Sequence, residues 1–289
     1  MSELAEEFVY RLPIATSGSR PGAHAGHSRG AGMNFAAHAR LFDQPDPRRL
    51  DLRASITDVR GDWLVRTYQQ PGSITVHVLV DLSASMHFGN PGKLQVIAQF
   101  LESLGLSAHA YGDAVSLLPF DSHFRQDLYI PPRRGRALGS LMANTILGAS
   151  TGETRKRPVH IGDALQQAAN QIAGSSGMIF LASDFHWNLD EFQRIANTLS
   201  SATLVPLVVW DKAESTPPEA GQLLFARDIE SDSMQQVWIN ERNRAEWTER
   251  VSDRRQQLKR FFAASDCRAL FIDGQFNSEQ VSRYFMESV

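Results

Sequence analysis

The run Val76-His-Val-Leu-Val80, followed at once by Asp81-Leu-Ser-Ala-Ser85, decides the fold of this chain. Its valine and leucine residues are typical of a strand that is buried on both faces, as the strands of a parallel sheet are. Asp81 then falls at the carboxyl end of that strand. The ligand crevice of an open parallel sheet lies at this edge, so the Asp-x-Ser-x-Ser run stands where a binding site is expected.

From Ile74 onward, short β-branched runs alternate with stretches of helical period, a pattern typical of parallel strands joined by crossover helices. Further strands are predicted at 114–120, 178–183, 204–210 and 269–272, and helices at 94–106, 137–147, 161–173, 189–199, 243–264 and 278–286. The predicted fold class is α/β, a doubly wound and mainly parallel sheet with helices on both faces, over residues 73–289.

Residues 1–72 have a different texture from the rest. Gly, Ala, His and Arg are frequent, and no acidic residue occurs between Glu7 and Asp43. This composition predicts a largely irregular N-terminal extension, either mobile or draped over the main domain. Gly61-Asp62 lies between short apolar runs and predicts a short β hairpin over 58–68.

Composition narrows the function classes. The formal net charge of -3 gives no overall attraction to nucleic acid or anionic membrane. The single cysteine, Cys267, cannot form an internal disulfide, the acidic start lacks the pattern of a signal peptide, and no apolar run is long enough to span a membrane. We therefore expect a cytoplasmic protein.

Oxygen-bearing side chains cluster at the end of the first predicted strand. Asp81, Ser83 and Ser85 put a carboxylate and two hydroxyls on one short loop, and these are the ligand types that Mg²⁺ prefers. A second carboxylate, Asp184, follows the strand predicted at 178–183 and would reach the same edge of the sheet. The alternative is a turn or helix cap, in which the hydroxyls bond nearby backbone N–H groups.

The Asp81–Ser85 run, together with Met86 and Lys93-Leu94, resembles the metal-ion-dependent adhesion site of von Willebrand factor A domains. More narrowly, residues 20 to 286 resemble the domain-of-unknown-function family fifty-eight. The matching positions are Gly30, Gly32, Phe35, Arg40, Pro45, Asp46, Arg49 and Asp51 in the extension, then Pro132-Arg-Arg-Gly135-Arg136, Ser183-Asp-Phe185 and Val237-Trp238. The resemblance implies that Asp81, Ser83, Ser85 and Asp184 hold Mg²⁺, Mn²⁺ or Ca²⁺, directly or through water.

One position departs from the adhesion-site pattern. The pattern expects Thr at the first position of Val159-His-Ile-Gly162-Asp-Ala-Leu165. Valine has nearly the shape of threonine but no oxygen, so one ligand is lost and water would replace it with weaker affinity.

Several residues are predicted to form a partner-binding rim around the site. His186 and Trp187 follow Asp184 closely, and an exposed aromatic ring there could anchor a partner, although Trp187 could equally pack on its own loop. Arg133, Arg134 and Arg136 could offer a basic contact for an acidic partner surface, or could form a solvated loop end.

The family resemblance implies a function as well as a fold. It implies a non-enzymatic, protein-binding adaptor that works with a MoxR-type AAA+ ATPase in the maturation of, or metal insertion into, a client such as methanol dehydrogenase. Two alternatives stay open. One is a metal-free scaffold, which Val159 favours, and the other is a phosphoester hydrolase using Asp81, which lacks the second acid because Ser83 takes its place.

Overall fold

The computed structural model describes residues 5–12, 21–24, 29–30, 34–69, 72–149, 161–189, 192–227 and 234–287. The described strands are β1 (Pro21–His24), β2 (Arg29–Gly30), β3 (Asn34–Arg40), β4 (Leu64–Gln69), β5 (Thr75–Asp81), β6 (Ala114–Phe120), β7 (Ile130–Arg133), β8 (Gly177–Ser183), β9 (Thr203–Trp210), β10 (Leu223–Arg227), β11 (Met234–Trp238) and β12 (Leu270–Asp273). The described α-helices are α1 (Leu52–Thr57), α2 (Lys93–Tyr111), α3 (Leu138–Ala149), α4 (Ile161–Gln171), α5 (Phe192–Thr198), α6 (Lys212–Ser215), α7 (Glu241–Ala264) and α8 (Ser278–Met286).

The centre of the molecule is a six-stranded sheet in the order β12-β9-β8-β5-β6-β7. Its strands run parallel except β7, which pairs antiparallel with β6 at one edge. This confirms the predicted fold class. The strand order reverses direction around β5, so β5 and β8 lie side by side in the middle of the sheet with their carboxyl ends at one edge.

Alternation of side chains along β5 explains why helices cover both faces. Val76, Val78 and Val80 belong to a core cluster with α2, α3 and α8, whereas Leu79 belongs to a second cluster with α4, α5 and α7. Because both faces are buried, the strand reads in sequence as a mostly apolar run, interrupted by His77, and not as an alternating one. The two clusters together fix the position of Asp81 at the end of β5.

Helix α2 runs further than its apolar stripe indicates. It begins at Lys93 and ends at Tyr111, where Gly112 adopts a left-handed conformation (φ 74°) and closes the helix. Inside it, Gly105 crosses α3 so closely that an added Cβ would overlap the backbone of Gly139. This crossing seats α2, and with it Lys93, against the sheet.

The N-terminal extension differs from its prediction. Among its described residues, β2, β4 and β3 form an antiparallel three-stranded sheet in that order, where irregular structure was predicted. The predicted hairpin over 58–68 is also wrong. Only β4 lies in that range, and its partner β3 comes from upstream, with α1 between them. Asp51 caps α1 and accepts a hydrogen bond from Arg66 of β4, which ties the helix to the small sheet.

Part of the extension is held on the main domain. Phe8 and Tyr10 are buried in the core, and Phe8 stacks on Phe100 with ring centroids 5.7 Å apart. The buried Asp113 carboxylate accepts a hydrogen bond from the Tyr10 hydroxyl. It also hydrogen-bonds Nε2 of the His24 ring. Of the two predicted arrangements, the described residues of this segment therefore show the draped one. None of the helices in the described ranges has the length and apolar content to cross a membrane.

Candidate functional site

Asp81 and Asp184 come together at the carboxyl ends of β5 and β8. The two strands are paired in parallel register up to Val80 and Ala182, so the residues that follow emerge side by side. Both carboxylates are buried, with Asp81 0% and Asp184 1% exposed. Asp81 Oδ1 accepts the backbone N–H of Ser83 at 2.8 Å. The sequence prediction that two carboxylates meet at this edge agrees with this geometry.

The two serine hydroxyls point into the same site. Ser83 Oγ lies 3.2 Å from Ser85 Oγ, and the Ser85 hydroxyl is close enough to Asp184 to help lower the pKa of that carboxyl. Ser83 occupies the N-cap position of a short 3-10 turn (Ala84–His87), but its side chain makes no capping hydrogen bond there. The hydroxyls are thus not used as a helix cap. The carboxylates and hydroxyls predicted as metal ligands form one contiguous set of oxygen donors.

Ser183 orients Asp81, a role that the sequence prediction missed. Its hydroxyl donates to Asp81 Oδ2 at 2.7 Å. Ser183 Oγ in turn accepts hydrogen bonds from the backbone N–H of Phe185 and the indole N–H of Trp187, each at 3.0 Å. Since both lone-pair directions are taken, the hydroxyl proton is directed at Asp81.

Lys93 belongs to the sequence resemblance, but its role as an ion-pair partner in the site was not predicted. It is the first residue of α2, its side chain is 1% exposed, and its Nζ lies 2.9 Å from Asp184 Oδ2 and 2.6 Å from Glu214 Oε1. The N-terminus of a helix carries a partial positive charge, which repels a lysine placed there. A lysine at the start of α2 could therefore have indicated that an acidic side chain lies nearby. Glu214 lies in α6, far away in sequence, and no local pattern connects the two.

The charges of this cluster do not balance. Asp81, Asp184 and Glu214 carry three negative charges when ionised, and Lys93 contacts only Asp184 and Glu214, so the charge of Asp81 has no cationic contact among the described residues. Burial, and then the neighbouring Asp184, raise the pKa of Asp81 to about 6. Burial also acts to raise the pKa of Asp184, but the charges of Lys93 and His186 outweigh it and hold that pKa below its ordinary value.

These residues fit a divalent cation. The donors at Asp81, Ser83, Ser85 and Asp184 are all oxygen, which suits a hard ion such as Mg²⁺, and a cation would offset the repulsion between the Asp81 and Asp184 carboxylates. A second group that could hold a metal, Asp184 with His186 and Glu214, has ligand atoms within 4.8 Å of one another. Lys93 Nζ contacts both carboxylates of that second group and would compete with an ion there. The Asp81 side of the cluster is therefore the better cation position.

His186 and Trp187 occupy different places on the rim. His186 is exposed, its ring stacks on Trp210 with centroids 6.1 Å apart, and its Nε2 lies 3.8 Å from Glu214 Oε1. Trp187 is half-buried, bonds Ser183 and packs against Phe185 with ring centroids 5.6 Å apart. Trp187 therefore packs on its own loop, and His186 is the ring at the mouth of the site.

The three arginines predicted on the rim lie elsewhere, and that prediction is wrong. Pro131-Pro132 belongs to the antiparallel edge strand β7, a place where proline is tolerated. Because β7 runs opposite to its neighbours, it carries Arg133 to the edge where the parallel strands begin. Arg134 there donates to the Gly112 carbonyl oxygen at 2.8 Å and to Ser73 Oγ at 2.9 Å. Arg136 follows directly and is exposed. Val159 lies outside the described residues, so its effect on the ligand set stays a prediction.

Residues 45–257 match the family described as "Protein of unknown function DUF58". A search of curated proteins found no match.

Similar solved structures include BatB, a conserved hypothetical protein from Bacteroides thetaiotaomicron, at 16% identity and TM-score 0.44, covering 74% of this chain and 98% of that one. An aerotolerance-related membrane protein from Bacteroides fragilis has 16% identity and TM-score 0.45, with the same coverages of 74% and 98%. A von Willebrand factor type A protein from Catenulispora acidiphila has 11% identity and TM-score 0.38, covering 77% and 43%. The family match spans most of the chain, which is thus a member of the DUF58 family.

Proposed function

We propose that this chain is a non-enzymatic, protein-binding adaptor whose docking site is the carboxyl edge of the sheet around Asp81 and Asp184. A von Willebrand factor A-like fold is that of a protein-interaction domain, and the site gives this general role a mechanism. The observation that carries the proposal is the convergence of two buried carboxylates and two hydroxyls at one point. In this proposal Asp81, Ser83, Ser85 and Asp184 hold Mg²⁺, or Mn²⁺ or Ca²⁺, directly or through water.

The chain's own residues prepare the site for an ion and a partner. Ser183 directs its proton at Asp81 and so keeps one carboxylate oriented, and Lys93 keeps Asp184 oriented and ionised. A bound divalent ion would supply an open coordination position that accepts a carboxylate. An acidic residue of the partner is then recognised because few other groups on a protein surface satisfy both the charge and the geometry of such an ion.

The family resemblance supports a candidate partner system. We include in the proposal a MoxR-type AAA+ ATPase as one partner and a client protein, such as methanol dehydrogenase, as the other, with the adaptor linking them. The test is co-purification of a tagged wild-type chain with the MoxR-type ATPase of the same genome, in Mg²⁺ and in EDTA. Recovery of the ATPase in Mg²⁺ alone supports the proposal, and equal recovery in both buffers contradicts a metal-dependent contact.

Cation binding itself is tested by thermal unfolding. A ligand that binds only the native state must raise its melting temperature, so Mg²⁺ should stabilise the wild type. Asp81→Asn should abolish this effect. Asp121→Asn is a matched control, because Asp121 follows the next strand at the same edge but pairs with Arg125. Equal Mg²⁺ effects in Asp81→Asn and the wild type would contradict the assigned ligand set.

One observation favours a second candidate, a metal-free scaffold. The Lys93 ammonium already bridges Asp184 and Glu214 and supplies part of the positive charge that an ion would supply. In that case docking would use the same face without a cation. The absence of any melting-temperature increase with Mg²⁺, Mn²⁺ or Ca²⁺ in the wild type would favour the scaffold over the metal-dependent adaptor.

A further inference from the structure

A cavity of about 470 Å³ lies directly beside the candidate site. It opens between the carboxyl end of β9, the residues around the end of β11, and one face of α7. His186 and Glu214 line it and also belong to the rim and charge cluster of the site. The cavity and the site are therefore parts of one continuous surface.

Hydrogen bonds fasten the cavity wall to the site. Trp210 Nε1 donates to the carbonyl oxygen of Asp184 at 2.9 Å, and Trp247 Nε1 donates to the carbonyl oxygen of Glu214 at 3.1 Å. Both indole N–H groups are thus satisfied within the protein, and what the two rings offer the cavity is apolar surface. Ile239 and Val251 complete an apolar lining.

The apolar surface continues outward from the cavity. Val237, which lines the cavity, is 37% exposed, and its neighbour Trp238 is 57% exposed. An aromatic side chain exposed to this degree beside a concave apolar site is typical of a protein-binding surface.

The carboxylates that line the cavity have cationic partners, but one of its arginines has no carboxylate partner. Glu214 is paired with Lys93 at 2.6 Å, and Glu246 is paired with Arg242 at 3.0 Å. Arg254 donates to a backbone carbonyl oxygen, that of Phe185. Arg250 is exposed and, among the residues that the structure describes, has no carboxylate within ion-pair distance. An acidic group approaching the cavity therefore meets the guanidinium of Arg250, whose charge no described carboxylate pairs.

We propose that this cavity binds a large apolar side chain, aromatic in the best case, from a partner segment that also carries an acidic residue close by in sequence. The acidic residue would dock at the cation site, so this inference rests on the proposed function for that half of the contact. The volume lies within the range of about 300–1,000 Å³ that is usual for ligand pockets. The cavity thus selects partners by an acidic-plus-aromatic pattern, whereas the cation site alone would accept any exposed acid.

Tryptophan indole N–H signals provide a local test in the full-length, ¹⁵N-labelled protein. The probe is a capped synthetic peptide with one aspartate and, two residues later, one tryptophan in a glycine and serine background. Adding it should shift the signals of Trp210 and Trp247 but not that of Trp63, which lies in the N-terminal extension. A peptide with alanine in place of its tryptophan should bind at least about tenfold more weakly. Absence of shifts at Trp210 and Trp247 overturns the inference.

Three variants localise the effect. Val251→Trp fills the cavity and should abolish the shifts at Trp210. Arg250→Glu changes an exposed side chain, so the fold should be kept while affinity for the acidic peptide falls at least about fivefold. Ala245→Trp is the matched control, because it adds the same ring to another face of α7 and should leave binding unchanged. Unchanged peptide binding in both Val251→Trp and Arg250→Glu overturns the assignment of this cavity.

Repeating the titration in EDTA and in Asp81→Asn separates this inference from the proposed function. Insertion of the tryptophan side chain does not need the ion, so shifts at Trp210 and Trp247 should persist with reduced affinity. Persistent shifts without any Mg²⁺-dependent gain support the cavity and count against the cation site. Mg²⁺-dependent peptide binding without shifts at Trp210 and Trp247 supports the cation site and overturns the cavity.

Discussion

Replacing the buried Lys93 by methionine separates an ionic role of this side chain from a packing role. Methionine keeps much of the length and flexibility of lysine but removes the charge. Lys93 is 1% exposed, with Nζ 2.9 Å from Asp184 Oδ2 and 2.6 Å from Glu214 Oε1. At an effective dielectric constant of about 20, the attraction to Asp184 alone amounts to about 6 kcal/mol.

Part of this attraction is offset because methionine, unlike lysine, does not have to lose a charged hydration shell on folding. Removing one partner of a buried ion pair costs about 3–5 kcal/mol on balance. We expect Lys93→Met to lower the free energy of unfolding by about that amount in urea denaturation with EDTA present. The exposed Lys212→Met is the matched control and should change stability by less than about 0.5 kcal/mol. A loss below about 1 kcal/mol for Lys93→Met would refute the ionic role.

The same variant should respond more strongly to Mg²⁺ than the wild type. Without the ammonium, the cluster carries one more uncompensated negative charge, so a divalent cation offsets a larger repulsion. The measurement is the rise in melting temperature between EDTA and excess Mg²⁺ in both proteins. An equal rise in the two would contradict the placement of the Lys93 charge beside the cation site.

Three further predictions concern the buried ring of His77, the helix crossing at Gly105 and the hydroxyl of Ser183. Burial lowers the pKa of His77 from 6.5 to about 4, so the unfolded chain binds a proton at higher pH than the folded protein does. The free energy of unfolding should therefore be unaffected by His77 above pH 6.5 and should fall by roughly 3 kcal/mol as the pH drops to 4, measured by urea denaturation. Gly105→Ala should lower the free energy of unfolding by about 1–3 kcal/mol, because the new Cβ overlaps the backbone of α3. The added Cβ of Gly148→Ala meets no atom within 4 Å, so this variant should raise the free energy of unfolding by up to about 1 kcal/mol in the same assay. Ser183→Ala removes the donor to Asp81 and should weaken Mg²⁺ binding about tenfold in calorimetry, although Ser183 is not itself a ligand.

Each of these predictions has a contradicting result. If His77→Gln loses stability between pH 7 and pH 4 as steeply as the wild type, the ring is not the source of the pH dependence. If Gly105→Ala and Gly148→Ala have equal effects, the helix crossing is not tight at Gly105. If Ser183→Ala binds Mg²⁺ as the wild type does, the orientation of Asp81 does not depend on that hydroxyl.

The central sheet could be predicted because its strands are buried on both faces. Burial of this kind leaves a continuous apolar run, and the run at 114–120 gives strand β6 with the bounds that the structure has. The convergence of Asp81 and Asp184 followed from the same reasoning, since the carboxyl ends of neighbouring parallel strands share one edge.

Features that depend on distant pairing could not be predicted. The partner of β4 is β3, which lies beyond a helix in sequence, and the local apolar runs instead suggested a hairpin. The two prolines of β7 argue against a strand, so this edge strand was not predicted. Arg133 and its neighbours were therefore expected on the rim of the site, which is the wrong edge of the sheet. Lys93 and Glu214 meet only because α2 and α6 begin at the same edge of the sheet. The cavity beside Glu214 is formed in part by β11 and α7. The residues of these two elements are mostly charged or exposed, so no apolar pattern in the sequence indicates a cavity there.

Electron paramagnetic resonance measures cation binding at Asp81 and Asp184 directly, because the signal of free Mn²⁺ is lost when the ion binds. We predict that the wild type and Asp121→Asn each remove one Mn²⁺ per chain from solution, that Asp81→Asn does not, and that Mg²⁺ competes for the site. If the wild type leaves the free Mn²⁺ signal unchanged, or if Asp81→Asn binds the ion as well as the wild type does, the cation-dependent docking site at Asp81 and Asp184 is contradicted.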